Sequence, residues 1–182
     1  TGNGGNITVA TGRGTIFLDK VFSYAANNGG DITVFSPQGA IVTRVVLAHS
    51  YQGGRGGDIR YTAGDGGIDA SGVYSFSRGG RGGDMSFAST GNVRLANLNS
   101  TGDTSGNITI NAGNIFEVSG TSRAYRPQGS TGAPARASTI ISDTFGAGNG
   151  GNIDITAKVV RLVEGNQITA STHSSGAAGS IT

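Results

Sequence analysis

Gly29-Gly30-Asp31-Ile32-Thr33-Val34 is the stretch that decides the fold, because it returns along the whole chain. Upstream stands Gly4-Gly5-Asn6-Ile7-Thr8-Val9. Downstream follow Gly56-Gly57-Asp58-Ile59-Arg60-Tyr61, Gly82-Gly83-Asp84-Met85-Ser86-Phe87, Ser105-Gly106-Asn107-Ile108-Thr109-Ile110 and Gly150-Gly151-Asn152-Ile153-Asp154-Ile155. A clipped copy, Ala178-Gly179-Ser180-Ile181-Thr182, comes last. The anchors Ile7, Ile32, Ile59, Met85, Ile108, Ile153 and Ile181 are 25, 27, 26, 23, 45 and 28 residues apart. A unit this short cannot bury an apolar face alone. Stacked on its neighbours it can, so the repeat predicts a solenoid.

Each phrase alternates with period two, the pattern of a half-buried strand. Ile7/Val9, Ile32/Val34, Ile59/Tyr61, Met85/Phe87, Ile108/Ile110 and Ile153/Ile155 read as inward; Thr8, Thr33, Arg60, Ser86, Thr109 and Asp154 read as outward. A second apolar run follows: Ile16-Phe17-Leu18, Ile41-Val42, Ile68, Val93-Arg94-Leu95, Phe116-Glu117-Val118 and Val160-Arg161-Leu162. A third comes after it: Phe22-Ser23-Tyr24, Val45-Val46-Leu47, Tyr74-Ser75-Phe76, Leu98 and Ile168-Thr169-Ala170. Three short strands per coil, about seven coils and Gly/Asn/Ser turns predict an all-β, parallel β-helix. Its expected hand is right, the preference of parallel crossovers. The chain reads as a single β-solenoid over 1–182. The 45-residue interval is either two coils or one coil carrying an insertion. Its middle, 121–136, lacks apolar alternation and reads as an inserted loop. Arg123, Tyr125, Arg126 and Arg136 make that loop the most basic surface element and a candidate contact.

Composition narrows the function. Glycine is frequent, at 34 of 182 residues, while proline is rare, at 3; collagen and proline-rich linkers are excluded. No cysteine is present, which excludes disulfides, thiolate metal sites and a cysteine nucleophile. The net charge of +2 is small and the arginines are scattered, so nucleic acid is not an expected partner. No apolar run is long enough to span a membrane as a helix. The chain opens in mid-repeat with no secretory leader in view.

Several motifs have a chemical and a plain reading. Gly53-Gly54-Arg55-Gly56-Gly57-Asp58 and Gly79-Gly80-Arg81-Gly82-Gly83-Asp84 approach the nonapeptide calcium repeat, but Arg60 and Ser86 stand where it needs an apolar residue. Asp31, Asp58 and Asp84 fall at equivalent places in consecutive coils. Stacked about 5 Å apart, they would raise one another's pKa or recruit a cation. The plain reading has each carboxylate capping backbone N–H groups in its turn, as Asn6, Asn107 and Asn152 would, with Arg55 and Arg81 neutralising the column. The segment Arg78-Gly79-Gly80-Arg81-Gly82-Gly83 resembles an RNA-binding run but sits where a coil turn belongs. His49 and His173 lie far apart with no triad pattern and read as solvated turn residues. The acidic residues are too dispersed to suggest a glycosidase pair, so no enzyme, metal or cofactor is expected. Tyr24, Tyr61 and Tyr74 read as core ladders; Tyr51 and Tyr125 are the exceptions that could stack on sugars.

The stretch Gly148-Asn149-Gly150-Gly151-Asn152-Ile153-Asp154-Ile155-Thr156-Ala157 runs on through Val160-Arg161-Leu162 and Gly165-Asn166-Gln167-Ile168-Thr169-Ala170 to Gly176-Ala177-Ala178-Gly179-Ser180-Ile181. It resembles the repeats of filamentous-haemagglutinin-type surface proteins, the cyanobacterial versions above all. The resemblance implies a bacterial, secreted adhesin of right-handed β-helical form, exported by the two-partner route. Residues 1–110 match at the Gly-Gly-Asn/Asp-Ile phrase and more loosely between; the loop at 121–136 departs from the pattern. No active-site residue is implied. The expected function is a non-catalytic structural or adhesive β-solenoid at the cell surface or in the extracellular matrix. It would be either a subunit stacking head to tail through the solenoid ends or a segment of a long adhesin, with cell-surface glycans as further partners. The alternative is a carbohydrate-binding or polysaccharide-cleaving β-helix.

Overall fold

The computed structural model describes residues 2–119, 139–163 and 165–182. Among these, fourteen strands follow one another: β1 (Ile7–Ala10), β2 (Ile16–Phe22), β3 (Ile32–Ser36), β4 (Ile41–Leu47), β5 (Ile59–Ala63), β6 (Ile68–Tyr74), β7 (Met85–Ser89), β8 (Val93–Asn99), β9 (Ile108–Ala112), β10 (Ile115–Val118), β11 (Thr139–Ile141), β12 (Ile153–Thr156), β13 (Val159–Leu162) and β14 (Gln167–Thr169). The strands pair in parallel. One sheet runs β1-β3-β5-β7-β9-β12; the other runs β13-β10-β8-β6-β4-β2, with β11 pairing β8 and β14. No helix is present among the described residues. The architecture is a parallel β-helix, as the repeat predicts.

The anchors lie on one another in register. Ile7 pairs Ile32, Ile32 pairs Ile59, Ile59 pairs Met85, Met85 pairs Ile108, Ile108 pairs Ile153 and Ile153 bridges to Ile181. Ile32, Ile59, Ile108 and Ile153 are fully buried and Met85 almost so. Val34, Tyr61, Phe87 and Ile110 stack in the same way, so ladders of apolar side chains fill the interior, with Thr43 beneath Ala70 a polar rung. Tyr61 sits among them, its hydroxyl donating to Thr43 Oγ1 at 3.2 Å and its ring edge-on to Phe87 at 5.2 Å.

Two counts differ from expectation. The last two coils carry the expected three strands, β9–β11 and β12–β14, but the first four carry two, because the second and third apolar runs join into one seven-residue strand in β2, β4, β6 and β8. That strand turns a corner midway, and the inward parity shifts there. In β4, Ile41 and Thr43 point in; past exposed Arg44, the buried residues are Val46, Leu47 and then Ala48. The third side of the coil is reduced to single bridges, Ala25 to Ser50 to Ser77 and Gly102 to Thr144 to Thr172. There are also about six turns rather than about seven. The direct pairing of Ile108 with Ile153 makes the 45-residue interval one coil. Its extra residues enter at the corner, between β10 and β11, which pair with the two halves of β8: β10 with Val93–Leu95, β11 with Leu98–Asn99. Arg123, Tyr125, Arg126 and Arg136, read as a contact loop, lie outside the described residues.

The Gly-Gly of each phrase has a steric cause. After the corner, a small residue points inward: Ser23, Ala48, Ser75, Ser100, Ser142 and Ala170. It faces the second glycine of a phrase. The Ser75, Ser100 and Ser142 hydroxyls donate to the carbonyls of Gly57, Gly83 and Gly106 at 2.5, 2.6 and 2.7 Å, and Ser23 donates to Gly5. The glycine amides return the contact: Gly57 to Ala48 O at 2.6 Å, Gly83 to Ser75 O at 2.9 Å. Backbones this close leave no room for a side chain. A Cβ on Gly30, Gly57, Gly83, Gly106, Gly151 or Gly179 would lie 2.1–2.4 Å from the carbonyl oxygen of the equivalent glycine one coil earlier. Gly5 has no such neighbour within 4 Å.

Candidate functional site

Two features have chemistry of their own: the acidic column beside the glycines and a cluster of rings on the third side. The column is continuous. Each Asn or Asp reaches one coil onward with Oδ1 and accepts the backbone N–H of its equivalent. Asp31 N–H donates to Asn6 Oδ1 at 2.9 Å, Asp58 N–H to Asp31 Oδ1 at 2.8 Å and Asp84 N–H to Asp58 Oδ1 at 2.8 Å. Asn107 N–H continues to Asp84 Oδ1 at 2.7 Å, Asn152 N–H to Asn107 Oδ1 at 2.9 Å and Ser180 N–H to Asn152 Oδ1 at 3.0 Å. The amides that the plain reading placed in each residue's own turn are those of the next coil. The column therefore stitches coils together.

Two of the three aspartates carry arginines. Arg81 donates to Asp84 at 2.5 Å, Arg55 donates to Asp58, and Arg55 also lies 3.6 Å from Asp84 Oδ2. At Asp84 burial pushes the pKa up, but the Arg81 hydrogen bond, the Asn107 amide and the Arg81 and Arg55 charges outweigh it and hold the carboxyl below its usual value. Stacking alone would have raised it. Among the described residues no group of three or more His, Cys, Asp or Glu side chains converges as a metal site. What the column requires is an oxygen acceptor, not a charge. Asp58→Asn should therefore change stability by less than about 1 kcal/mol, whereas Asp58→Ala should cost about 1–2 kcal/mol by orphaning the Asp84 amide, both read by chemical unfolding.

The ring cluster comes from the third apolar run, and the sequence reading of it needs correction. Ser23, not its neighbours, is the inward residue, because the Gly5 carbonyl needs a donor. Phe22 and Tyr24 are thereby turned out, 43% and 46% exposed, so Tyr24 is not part of the core ladder. Tyr61 is buried in the core as expected; Tyr74 is buried too, but it stands in register with Phe22 and outside the core cluster, and Tyr51 is 42% exposed. One coil on from Tyr24 stands His49, and one further stands Phe76. The His49 ring stacks on Tyr24 at 5.2 Å and 21° and on Phe76 at 4.5 Å and 12°, with Tyr51 edge-on at 4.4 Å. His49 is 0% exposed rather than solvated, and neither ring nitrogen has a hydrogen-bond partner. Burial, then the charge of Arg78, pushes its pKa from 6.5 down to about 4.

The next position along each coil makes a second row, Tyr51, Arg78, Asp103, Phe145 and His173, set by the bridges through Ser50, Ser77, Gly102, Thr144 and Thr172. Phe145 is 64% exposed and stacks on His173 at 4.8 Å and 7°; His173 Nε2 lies 3.6 Å from Asp143 Oδ2. The two histidines thus belong to separate ring groups on one side. Sequence reasoning missed Phe145 because no apolar alternation surrounds it. The bridges that set its row are visible only in the fold.

No family model, no curated protein and no solved structure matches this chain. The fold is that of a β-helical repeat protein, established by the coordinates alone.

Proposed function

We propose that this chain is a non-catalytic structural or adhesive β-solenoid that works outside the cell, either stacking head to tail or forming one stretch of a long surface adhesin. The observation that carries this reading is the unbroken register of both sheets, continued by the Asn/Asp column, with apolar positions open where the stack stops. Val160 and Leu162 are 48% and 45% exposed, although their partners one coil back, Phe116 and Val118, are fully buried. A parallel strand edge of this kind accepts another strand, and head-to-tail contact without closure makes a filament. The resemblance of the repeats to filamentous-haemagglutinin-type proteins supports the extracellular, adhesive setting. The engagement of Asp58 and Asp84 by arginines and amides supports a structural use of the carboxylates rather than cleavage.

Gly5 offers the test. In every later coil the equivalent glycine abuts the coil before it, so the Gly5 Cα faces whatever is stacked on that end. Gly5→Ala should melt within about 1 °C of the wild type as a monomer, since nothing lies within 4 Å of the added carbon. In electron micrographs the wild type should form fibres and Gly5→Ala should not. A wild type that stays monodisperse at high concentration rejects assembly and leaves the role of a segment in a longer rod.

A further inference from the structure

We propose that the third side of the solenoid binds a neutral, extended polysaccharide lying along the axis, which deepens the adhesive reading above and rests on it. Four observations converge there. The exposed rings are not overflow from the core: the inward places beside them belong to Ser23, Ser50 and Thr144, whose hydroxyls donate to the backbone carbonyls of Gly5, Asn27 and Asn149. The rings also form two platforms on one line. Tyr24 and Tyr51 pack edge-on at 5.6 Å at one end, and Phe145 and His173 stack at the other. From Tyr51 to Phe145 is three coil steps, about 14 Å at the inter-strand spacing, a span for a few pyranose rings in an extended chain. Flat rings that stack with sugar C–H faces at both ends, and hydrogen-bonding side chains between, are what such a chain needs.

The charges fix the class of polymer. Between the platforms stand Arg78 and Asp103, with Asp143 beside His173. Among the described residues they leave no excess positive charge to hold a polyanion, and they donate to and accept from hydroxyls. The area argues against a second copy of this chain. Tyr24, Tyr51 and Phe145, roughly half exposed, offer on the order of 300 Å² together, whereas a stable protein interface takes about 800 Å² from each partner. Finally, the site is built before a ligand arrives. His49, buried and without a polar partner, is wedged between Tyr24 and Phe76 and against Tyr51, and holds both tyrosines at fixed angles. Binding therefore loses little side-chain freedom.

Native electrophoresis in gels cast with soluble neutral polysaccharides (hydroxyethylcellulose, galactomannan, dextran) or with anionic alginate tests the proposal. The wild type should be retarded by at least one neutral polymer. Tyr24→Ala/Tyr51→Ala should weaken that retardation at least about tenfold, and Phe145→Ala, which does not touch His49, should also weaken it. Phe17→Ala, which removes a ring 74% exposed in β2 and outside the two platforms, should change nothing. Retardation by no neutral polymer, by alginate only, or equally in all variants overturns the proposal. So does a lateral dimer in sedimentation that the tyrosine variants dissolve. Release of reducing ends from the same polymers would instead reject the non-catalytic role, whatever the gels show.

Discussion

Gly83→Ala should lower stability by about 3 kcal/mol, a drop in melting temperature of about 10 °C for a chain of this size. One methyl group is enough because of where it would go. The new carbon would lie 2.2 Å from the Gly57 carbonyl oxygen and 2.3 Å from Ser75 Oγ. The serine hydroxyl could rotate away, but it would abandon its bond to Gly57, and the carbonyl is backbone and cannot yield without parting two coils. Gly57→Ala and Gly106→Ala should behave alike, with 2.2 and 2.1 Å approaches to the carbonyls of Gly30 and Gly83. Gly12, with nothing within 4 Å, is the control: Gly12→Ala should be nearly neutral. Equal losses at Gly12 and Gly83 in thermal melts would show that backbone freedom, not close approach, explains the glycines.

The second large effect is the acid response of His49. Its folded pKa, pushed down to about 4, lies below the 6.5 of the unfolded chain. Between those values the unfolded chain takes up a proton that the folded one refuses, so stability is full above pH 6.5 and falls as pH drops towards 4. The loss by pH 4 is about 3 kcal/mol. Tyr24, Tyr51 and Phe76 surround the ring, Arg78 adds a like charge, and no carboxylate forms an ion pair with the imidazole among the described residues. His49→Phe keeps a flat ring in the stack and removes both unpartnered nitrogens. It should match or exceed the wild type at pH 7 and lose about 3 kcal/mol less on going from pH 7 to pH 4. Parallel unfolding curves for the two proteins at both pH values would refute this account.

The parts of the fold that could be read from the sequence are those where one residue type serves one geometric need. Ile or Met at each anchor fills the interior, and Gly-Gly-Asn/Asp beside it answers two constraints at once: no room for a Cβ, and an amide one coil on that needs an acceptor. The corner hid the rest. A period-two count is valid only while a strand runs straight, and in β2, β4, β6 and β8 the parity slips where the strand bends. Tyr24 consequently reads as part of a core ladder, although Ser23 beside it is the inward residue that the Gly5 carbonyl demands. His49 misled for the same reason. Its burial comes from Tyr24 and Phe76, each about 25 residues away in sequence and one coil away in space. The 45-residue interval left two alternatives open, and only the pairing of Ile108 with Ile153 decides between them.

The amides that join successive coils point along the rod, while the strands lie across it. Tension on the two ends would therefore peel bonds apart in sequence instead of shearing a whole sheet at once. Each turn that yields frees about 25 residues, on the order of 80 Å of slack, while the turns behind it keep their shape. A tether made this way would lengthen in steps and recoil by re-stacking, a shock absorber between whatever it is fixed to and whatever it holds.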